Sequence, residues 1–502
     1  MIITLIETLL RTPRRPCINA RGAASSFVLS LALLGSGCTP GYRLLSPATP
    51  PQTHYLQPNS EPADVGSDDT TRQHVSEGKN PPDEWWTLLG SADLDRVVQL
   101  ALANNQSLLS AEGHLAAARQ RIGVAKGPLY PQVDASASAQ RTRFGAPVLG
   151  PEAAAFPTFS AYAAGVQVSY DFDVFGGTRR LVESAIATAR YESMQRDAAA
   201  LSVSGNVVLQ ALQIASMRAQ IHVVEQIVAD DEHLLKLVRA LHDEGVVSKT
   251  DVLIALSQTD HDRTLLPPLR QGLSAARDAL AILVGAAPAD WAPPEFDLDR
   301  LTLPKDLPVV LPSELVHRRP DILAAEAQLQ VAGTTVGIAT ANLYPHVVLT
   351  AQVAGMGLLP GGPSETGWNL LGELAGPVFH GGSLRAEQRA AQDEYRSAFA
   401  TYDQVVLEAF GQVADILQGL VNDADELLSQ QRALDSATDS LELTRRSYEA
   451  GSNGYVEVLD AQRLREQALL GRVQADTQRY VDSVKLLLAA GGRVDVRLLA
   501  GR

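Results

Sequence analysis

The chain carries three landmarks twice, in the same order and roughly 205 to 214 residues apart. Leu129-Tyr130-Pro131 is matched by Leu343-Tyr344-Pro345, and Val174-Phe175-Gly176-Gly177 by Val378-Phe379-His380-Gly381-Gly382. Glu244-Gly245 through Asp251-Val252-Leu253-Ile254-Ala255 is then matched by Ala450-Gly451 through Glu457-Val458-Leu459-Asp460-Ala461. Constant order and near-constant spacing imply a duplication and two similar structural units. Two large units do not make a solenoid, which needs at least three repeats. The faces of each unit must therefore be completed by its twin or by other chains.

Proline marks where the long helices lie. None of the 28 prolines falls between Pro157 and Pro267, and none follows Pro377. An interior proline costs a helix about 3 kcal/mol, so its exclusion points to helix. Over 178–244 apolar residues recur every three or four positions, as at Val203, Val207, Leu209, Leu212 and Ile214. Residues 383–450 repeat the pattern. At 1.5 Å per residue each stretch makes a helix about 100 Å long, too long for an ordinary core and suited to side-by-side helices in a coiled coil or helical barrel. Gly245 and Gly451 fit left-handed caps, and Asp251 and Glu457 fit the first turn of a returning helix, so both stretches end in hairpin tips.

Between the helices the period changes from 3.6 to 2. Tyr162, Ala164, Val166, Val168, Tyr170, Phe172 and Val174 alternate with Gln167, Ser169, Asp171 and Asp173. Val133, Ala135, Ala137 and Ala139 alternate with Gln132, Asp134, Ser136 and Ser138. The second copy offers Val347, Leu349, Ala351 and Val353, then a weaker strand around Trp368, Leu370 and Leu374. One greasy and one wet face over this length suits a tilted outer-membrane strand; an ordinary soluble sandwich is the alternative. Four strands cannot close a barrel, and open edges are excluded from lipid, so the membrane reading requires an oligomer. Three copies would supply twelve strands around a polar lumen.

The amino end carries Arg11, Arg14, Arg15 and Arg21, an apolar run over 27–34, and small residues before Cys38. This is the layout of an export signal, and the run is too short to span a bilayer, which takes about 20 residues. A cysteine placed directly after the cleavage site resembles the bacterial lipobox, with Gly35 where that motif prefers Leu. The resemblance implies an N-acyl and S-diacylglycerol lipid on Cys38; an ordinary secretory signal is the alternative. Cleavage would remove Cys17 and leave Cys38 as the single cysteine, unable to form an internal disulfide. It would also remove four Arg and Glu7, taking the net charge from −15 to −18. A body this acidic lacks the basic footprint of nucleic-acid binding. Pro50-Pro51, Pro81-Pro82 and the Ser, Asp and Thr between them read as an extended tether.

No nucleophile elbow, zinc-protease helix, phosphate loop or dinucleotide fingerprint is present. The ten histidines are scattered, and His222, His233 and His242 do not share a helix face. Asp230-Asp231-Glu232 and Asp423, Asp425 and Glu426 read as solvated helix faces. The expectation is a protein without catalytic residues, resident metal or cofactor other than the covalent lipid.

The Leu-Tyr-Pro and Gly-Gly landmarks, Arg318-Arg319-Pro320-Asp321-Ile322-Leu323-Ala324-Ala325-Glu326, and Val458-Leu459-Asp460-Ala461-Gln462 together resemble the TolC-like outer-membrane efflux family. Asp83-Glu84-Trp85-Trp86, Pro267-Pro268-Leu269-Arg270 and the lipobox resemble more narrowly the NodT-type lipoproteins of resistance-nodulation-division (RND) efflux systems. The resemblance implies a membrane α+β fold: a homotrimeric twelve-strand barrel in outer-membrane lipid, continued by a periplasmic helical barrel. It implies docking at the helical tips Gly245, Val246, Ser248, Gly451 and Ser452 onto a periplasmic adaptor, and association with an inner-membrane RND pump. It also implies a periplasmic gate: Asp460 as an acidic ring, Glu457 one turn before it, Val456 as an apolar plug, and Tyr448 and Arg463 as ties. Asn453 stands where some members carry arginine, and a local Asp460–Arg463 pair is the plainer alternative.

The expected division is a signal peptide over 1–37, a tether over 38–85, a first repeat over 86–290, a linker over 291–312, a second repeat over 313–492 and a tail over 493–502. The function implied is a passive exit duct for drugs, toxic organics or metal ions. A type I secretion duct for polypeptides and a non-channel periplasmic structural lipoprotein are the alternatives.

Overall fold

The computed structural model describes residues 54–56, 64–66, 72–143, 158–357, 364–492 and 494. Cys38, the signal segment and most of the carboxyl-terminal tail lie outside the described residues. In chain order the elements are β1 (Asp64–Val65), β2 (Gln73–Glu77), α1 (Ala92–Asn104), α2 (Gln106–Lys126), β3 (Gln132–Thr142) and β4 (Phe159–Phe172). They continue with α3 (Gly177–Asp243), α4 (Lys249–Arg263), α5 (Leu266–Leu283), β5 (Asp306–Val309), α6 (Pro312–Leu315) and α7 (Pro320–Ala341). The last are β6 (His346–Gly357), β7 (Ser364–Ala375), α8 (Ser383–Glu449) and α9 (Tyr455–Ala489). Helices α3 and α8 have 67 residues each. Contacts divide the chain into two units: one contains Pro128–Arg179 and Gly337–Arg385, the other Leu44–Gly127, Arg180–Val336 and Ala386–Arg502.

The first unit is a four-stranded antiparallel sheet in the order β3-β4-β6-β7. Its register turns the alternation of the sequence into continuous rows. Val133, Val168, Ala351 and Leu370 lie in one row across all four strands, and Ala135, Val166, Val353 and Trp368 in another. On the opposite face Asp134, Gln167, Gln352 and Asn369 form a polar row. The apolar face is uncovered in the chain: Trp368 is 80% exposed and Leu374 72%. Among the described residues β3 and β7 each pair on one side only.

Alternation reads β4 as running on to Val174, but the strand ends at Phe172. Asp173 leaves the ladder because its carboxylate is taken by the start of α3, where the amides of Thr178 and Arg179 donate to it at 3.0 and 2.9 Å. Unpaired amides at a helix amino end favour such an anion. Beside this turn Phe175 of the first copy stacks on Tyr344 of the second, with centroids 4.7 Å apart.

The second unit buries the remaining helices in three clusters. Trp85, Leu94, Val98, Val207, Leu212, Ile214, Leu280 and Val484 belong to the largest. Among the described residues α3 alone is long and apolar enough to cross a bilayer, and over 200–215 its apolar residues are buried in that core or, at Leu201 and Leu209, packed against it, so packing accounts for them. A second cluster joins Val406, Val413, Leu417, Leu420 and Leu486 to Val65, Val75, Leu307 and Val309. The last four come from a small sheet in the order β1-β2-β5, in which Val75 pairs in parallel with Leu307. Two short pieces of the segment read as an extended tether, β1 and β2, join this sheet, because Val65 and Val75 have an apolar surface to bury against.

The Arg318-to-Glu326 motif and the tryptophan pair have structural work in this unit. Arg319, 8% exposed, grips Asp321 through Nε and Nη2 at 3.1 and 2.7 Å and also donates to Gln412. Trp85 is fully buried and meets Trp86 edge-on at 5.9 Å, while the Trp86 indole donates to Asp95 at 2.8 Å.

Candidate functional site

Both long helices end in the same turn. After α3, Gly245 has φ +80°, its amide donates to the His242 carbonyl at 2.9 Å, and the Val246 amide donates to Leu241 at 2.8 Å. After α8, Gly451 has φ +72°, its amide donates to Tyr448 at 2.9 Å, and the Ser452 amide donates to Ser447 at 2.8 Å. This pairing satisfies carbonyls that a helix end otherwise leaves open, and the left-handed residue is why glycine stands at both. The return helices start differently. Ser248 caps α4 in a reciprocal box with Asp251, while Gly454 precedes α9 without a side-chain cap.

Tips and return helices pack through Leu234, Leu235, Val238, Val252, Ala255, Leu441, Tyr455, Val458, Leu459 and Ala461. Tyr448 lies against this cluster, 6.1 Å from Tyr455 between ring centroids, and its hydroxyl is buried without a hydrogen-bond partner. Burial, then the charge of Asp251, pushes that hydroxyl's pKa up. Val456 is 49% exposed, and Glu457 and Asp460 face solvent in the chain. Arg463 sits one turn after Asp460, and its Nε and Nη2 reach across to Gln258 of α4 at 2.9 and 2.7 Å.

That contact leads into a group the sequence did not disclose. Gln258 donates to Asp262 at 2.7 Å, and Asp262 lies with Asp231 of α3 and Glu466 of α9 so that carboxylate oxygens of all three fall within 4.8 Å of one another. Gln462 donates to Asp231 from the other side. Asp231 and Asp262 are each 4% exposed and Glu466 7%. Burial, reinforced by Asp262 and Glu466, pushes the Asp231 carboxyl up to about 8. Burial is also the main cause that lifts Glu466 to about 7. Burial beside one another raises Asp231 and Glu466 into the neutral range, so these two carboxyls hold protons near neutral pH.

Two acidic runs read as solvated faces are therefore corrected at one position each. Asp231 is buried, and so is Asp423, which faces Asp482 and is pushed up to about 7 by burial and by that neighbour. The signal was present in the spacing: Val224, Ile227, Val228, Leu234, Leu235 and Val238 form the buried stripe of α3, and Asp231 falls inside it. Glu466 continues the stripe of Val458, Leu459 and Gln462 in the same way.

A model of the outer membrane efflux protein family matches residues 97–286 and 311–492. The pyoverdine export outer membrane protein OpmQ of Pseudomonas aeruginosa is 29% identical over 473 residues, covering 93% of this chain and 96% of that protein. The cation efflux system protein CusC of Escherichia coli is 27% identical over 478 residues, covering 93% and 97%. The crystal structure of the Campylobacter jejuni CmeC outer membrane channel has the same fold, with a TM-score of 0.79, 20% identity, and coverage of 89% of this chain and 94% of that one. The match spans most of the sequence, the relatives are named for export and efflux, and the chain belongs to the outer membrane efflux protein family.

Proposed function

We propose that three copies of this chain form a passive exit duct, with the sheet as one third of a twelve-strand barrel and the long helices as the wall of a periplasmic tunnel. The carrying observation is the sheet with rows of uncovered apolar side chains on one face, polar rows on the other, and open edges at β3 and β7. In lipid, unpaired edge groups cost several kcal/mol each, so closure by further copies is required. The equal lengths of α3 and α8 and the matched turns at Gly245 and Gly451 support a duplicated architecture divided as the sequence suggests.

In this reading the tips at Gly245, Val246, Ser248, Gly451 and Ser452 meet a periplasmic adaptor, and an inner-membrane RND pump delivers the cargo. Cys38 carries the lipid. Three copies of Asp460 and Glu457 converge with Val456 at the periplasmic aperture, and Arg463 and Tyr448 hold the inner hairpin to the outer one. Support for the tie is the Arg463–Gln258 contact; the Tyr448 ring packs edge-on against Tyr455 with its hydroxyl buried. OpmQ is named for pyoverdine and CusC for cations. A wide conduit is compatible with either class of cargo. The mass of the detergent-extracted complex tests the proposal: three mature chains with lipid are expected, and a stable membrane-inserted monomer would overturn it.

A further inference from the structure

The buried carboxyl group between the two hairpins holds more oxygen than its neighbours satisfy. Asp231 comes from α3, Asp262 from α4 and Glu466 from α9, and oxygens of all three lie within 4.8 Å of one another. Two side-chain amides donate into the group, Gln258 to Asp262 and Gln462 to Asp231. Asp231 Oδ2 and Glu466 Oε1 remain buried without a hydrogen-bond partner. The arginines that act on Glu466 are held by other residues, Arg463 by Gln258 and Arg465 by Asp230.

Gln462 supplies a second and separate sign. It carries no charge, is 3% exposed, and its carboxamide lies against both Asp231 and Glu466. Its Nε2 is used on Asp231, whereas its Oε1 is buried with no donor. A buried amide oxygen left without a partner costs about 1 to 3 kcal/mol. Beside carboxylate oxygens that also lack donors, it adds a neutral fourth acceptor to a group that is short of positive charge.

We infer that Asp231, Asp262, Glu466 and the Gln462 carboxamide oxygen bind a hard divalent cation of calcium's size, one per chain. Donors that are all oxygen suit a hard cation and not zinc or copper, which favour imidazole and thiolate. Calcium–oxygen bonds of about 2.3 to 2.6 Å set opposite ligands up to about 5 Å apart, which accommodates a group spread over 4.8 Å. Magnesium gives up its water reluctantly and is rarely caged by protein oxygens alone. The charge of the ion offsets most of the three buried negative charges, which burial alone leaves costly. The site lies within one chain and does not rest on the trimeric reading. Its ligands nevertheless span both hairpins, with Asp231 and Asp262 on the first and Gln462 and Glu466 on the second. A bound ion therefore ties the hairpins together beside the Arg463–Gln258 contact. In EDTA the same oxygens hold protons instead.

The test is calcium binding to the full mature protein in detergent, freed of metal with EDTA and then dialysed. A parent carrying Glu457→Gln with Asp460→Ala removes the tip carboxylates from the count. Equilibrium dialysis with radiolabelled calcium should give one ion per chain. Glu466→Gln should weaken binding at least tenfold and Gln462→Leu several-fold, while Gln462→Glu, which adds a charged ligand, should bind more tightly than the parent. Thermal unfolding followed by helical circular dichroism is the second readout. Millimolar calcium should raise the parent's midpoint by several degrees and leave that of Glu466→Gln unmoved. A parent that binds no calcium up to millimolar concentration, with its midpoint unmoved, would overturn the site and leave a group filled by protons alone. Equal binding in the parent and in folded Glu466→Gln would overturn it by placing the ion elsewhere. Should Glu466→Gln not fold, Gln462→Glu decides, and binding no tighter than the parent's would overturn the site. None of these outcomes touches the mass of the complex, so the exit duct stands or falls separately.

Discussion

Replacing Asp231 by Asn neutralises the centre of the buried carboxyl group while keeping its shape and an acceptor for Gln462. In the folded chain burial, Asp262 and Glu466 hold this carboxyl at about 8, against an ordinary 3.8 when unfolded. A carboxyl raised on folding favours the folded state most at low pH. That advantage begins to fall near pH 4 and is fully lost above about pH 8. About four pKa steps at about 1.4 kcal/mol each set a ceiling near 6 kcal/mol. Donation from Gln462 reduces this, and the working figure is on the order of 2 kcal/mol. Tyr455 and the Arg465–Asp230 pair also face the group and stay unchanged in the variant. Thermal unfolding followed by helical circular dichroism should give coincident midpoints near pH 4, with Asp231→Asn a few degrees higher above pH 8. A variant less stable at every pH, or a difference that ignores pH, would refute a raised carboxyl at this position.

The gate reading gives two further expectations. Arg463→Ala with Tyr448→Phe frees Gln258 and leaves less to hold the hairpins together, and should raise single-channel conductance in planar bilayers several-fold with SDS-resistant trimers intact. Asp460→Ala should weaken block by divalent or trivalent cations added from the periplasmic side by about tenfold, since three converging carboxylates concentrate cations; unchanged block would make Asp460 a surface charge. Cys38→Ser should abolish fatty-acid labelling while leaving the barrel able to insert, and an unmodified mature terminus elsewhere in mass spectra would contradict the anchor.

The long helices were legible because their code is local. Proline is excluded and the apolar stripe persists, and the expected 178–244 and 383–450 become Gly177–Asp243 and Ser383–Glu449. The strands were legible for the same reason, apart from the end of β4, where the helix start captures Asp173. Less was readable where partners are far apart in sequence. The pairing of β2 with β5 joins residues more than two hundred positions apart and leaves no local mark. Asp231 was hidden by its neighbours Asp230 and Glu232, which make the run look solvated, although the buried stripe passes through it. The Arg463–Gln258 contact had no sequence signal, since a glutamine within a helix face looks like any other polar residue.

The central claim is that three copies enclose a water-filled pore across the outer membrane, and ion flow through that pore is its most direct measure. Purified protein added to one side of a planar bilayer should insert as a trimer and carry steady unitary currents, larger in the Arg463→Ala and Tyr448→Phe variant. Trimers shown to have inserted that pass no current, in wild type and in that variant alike, would contradict the account.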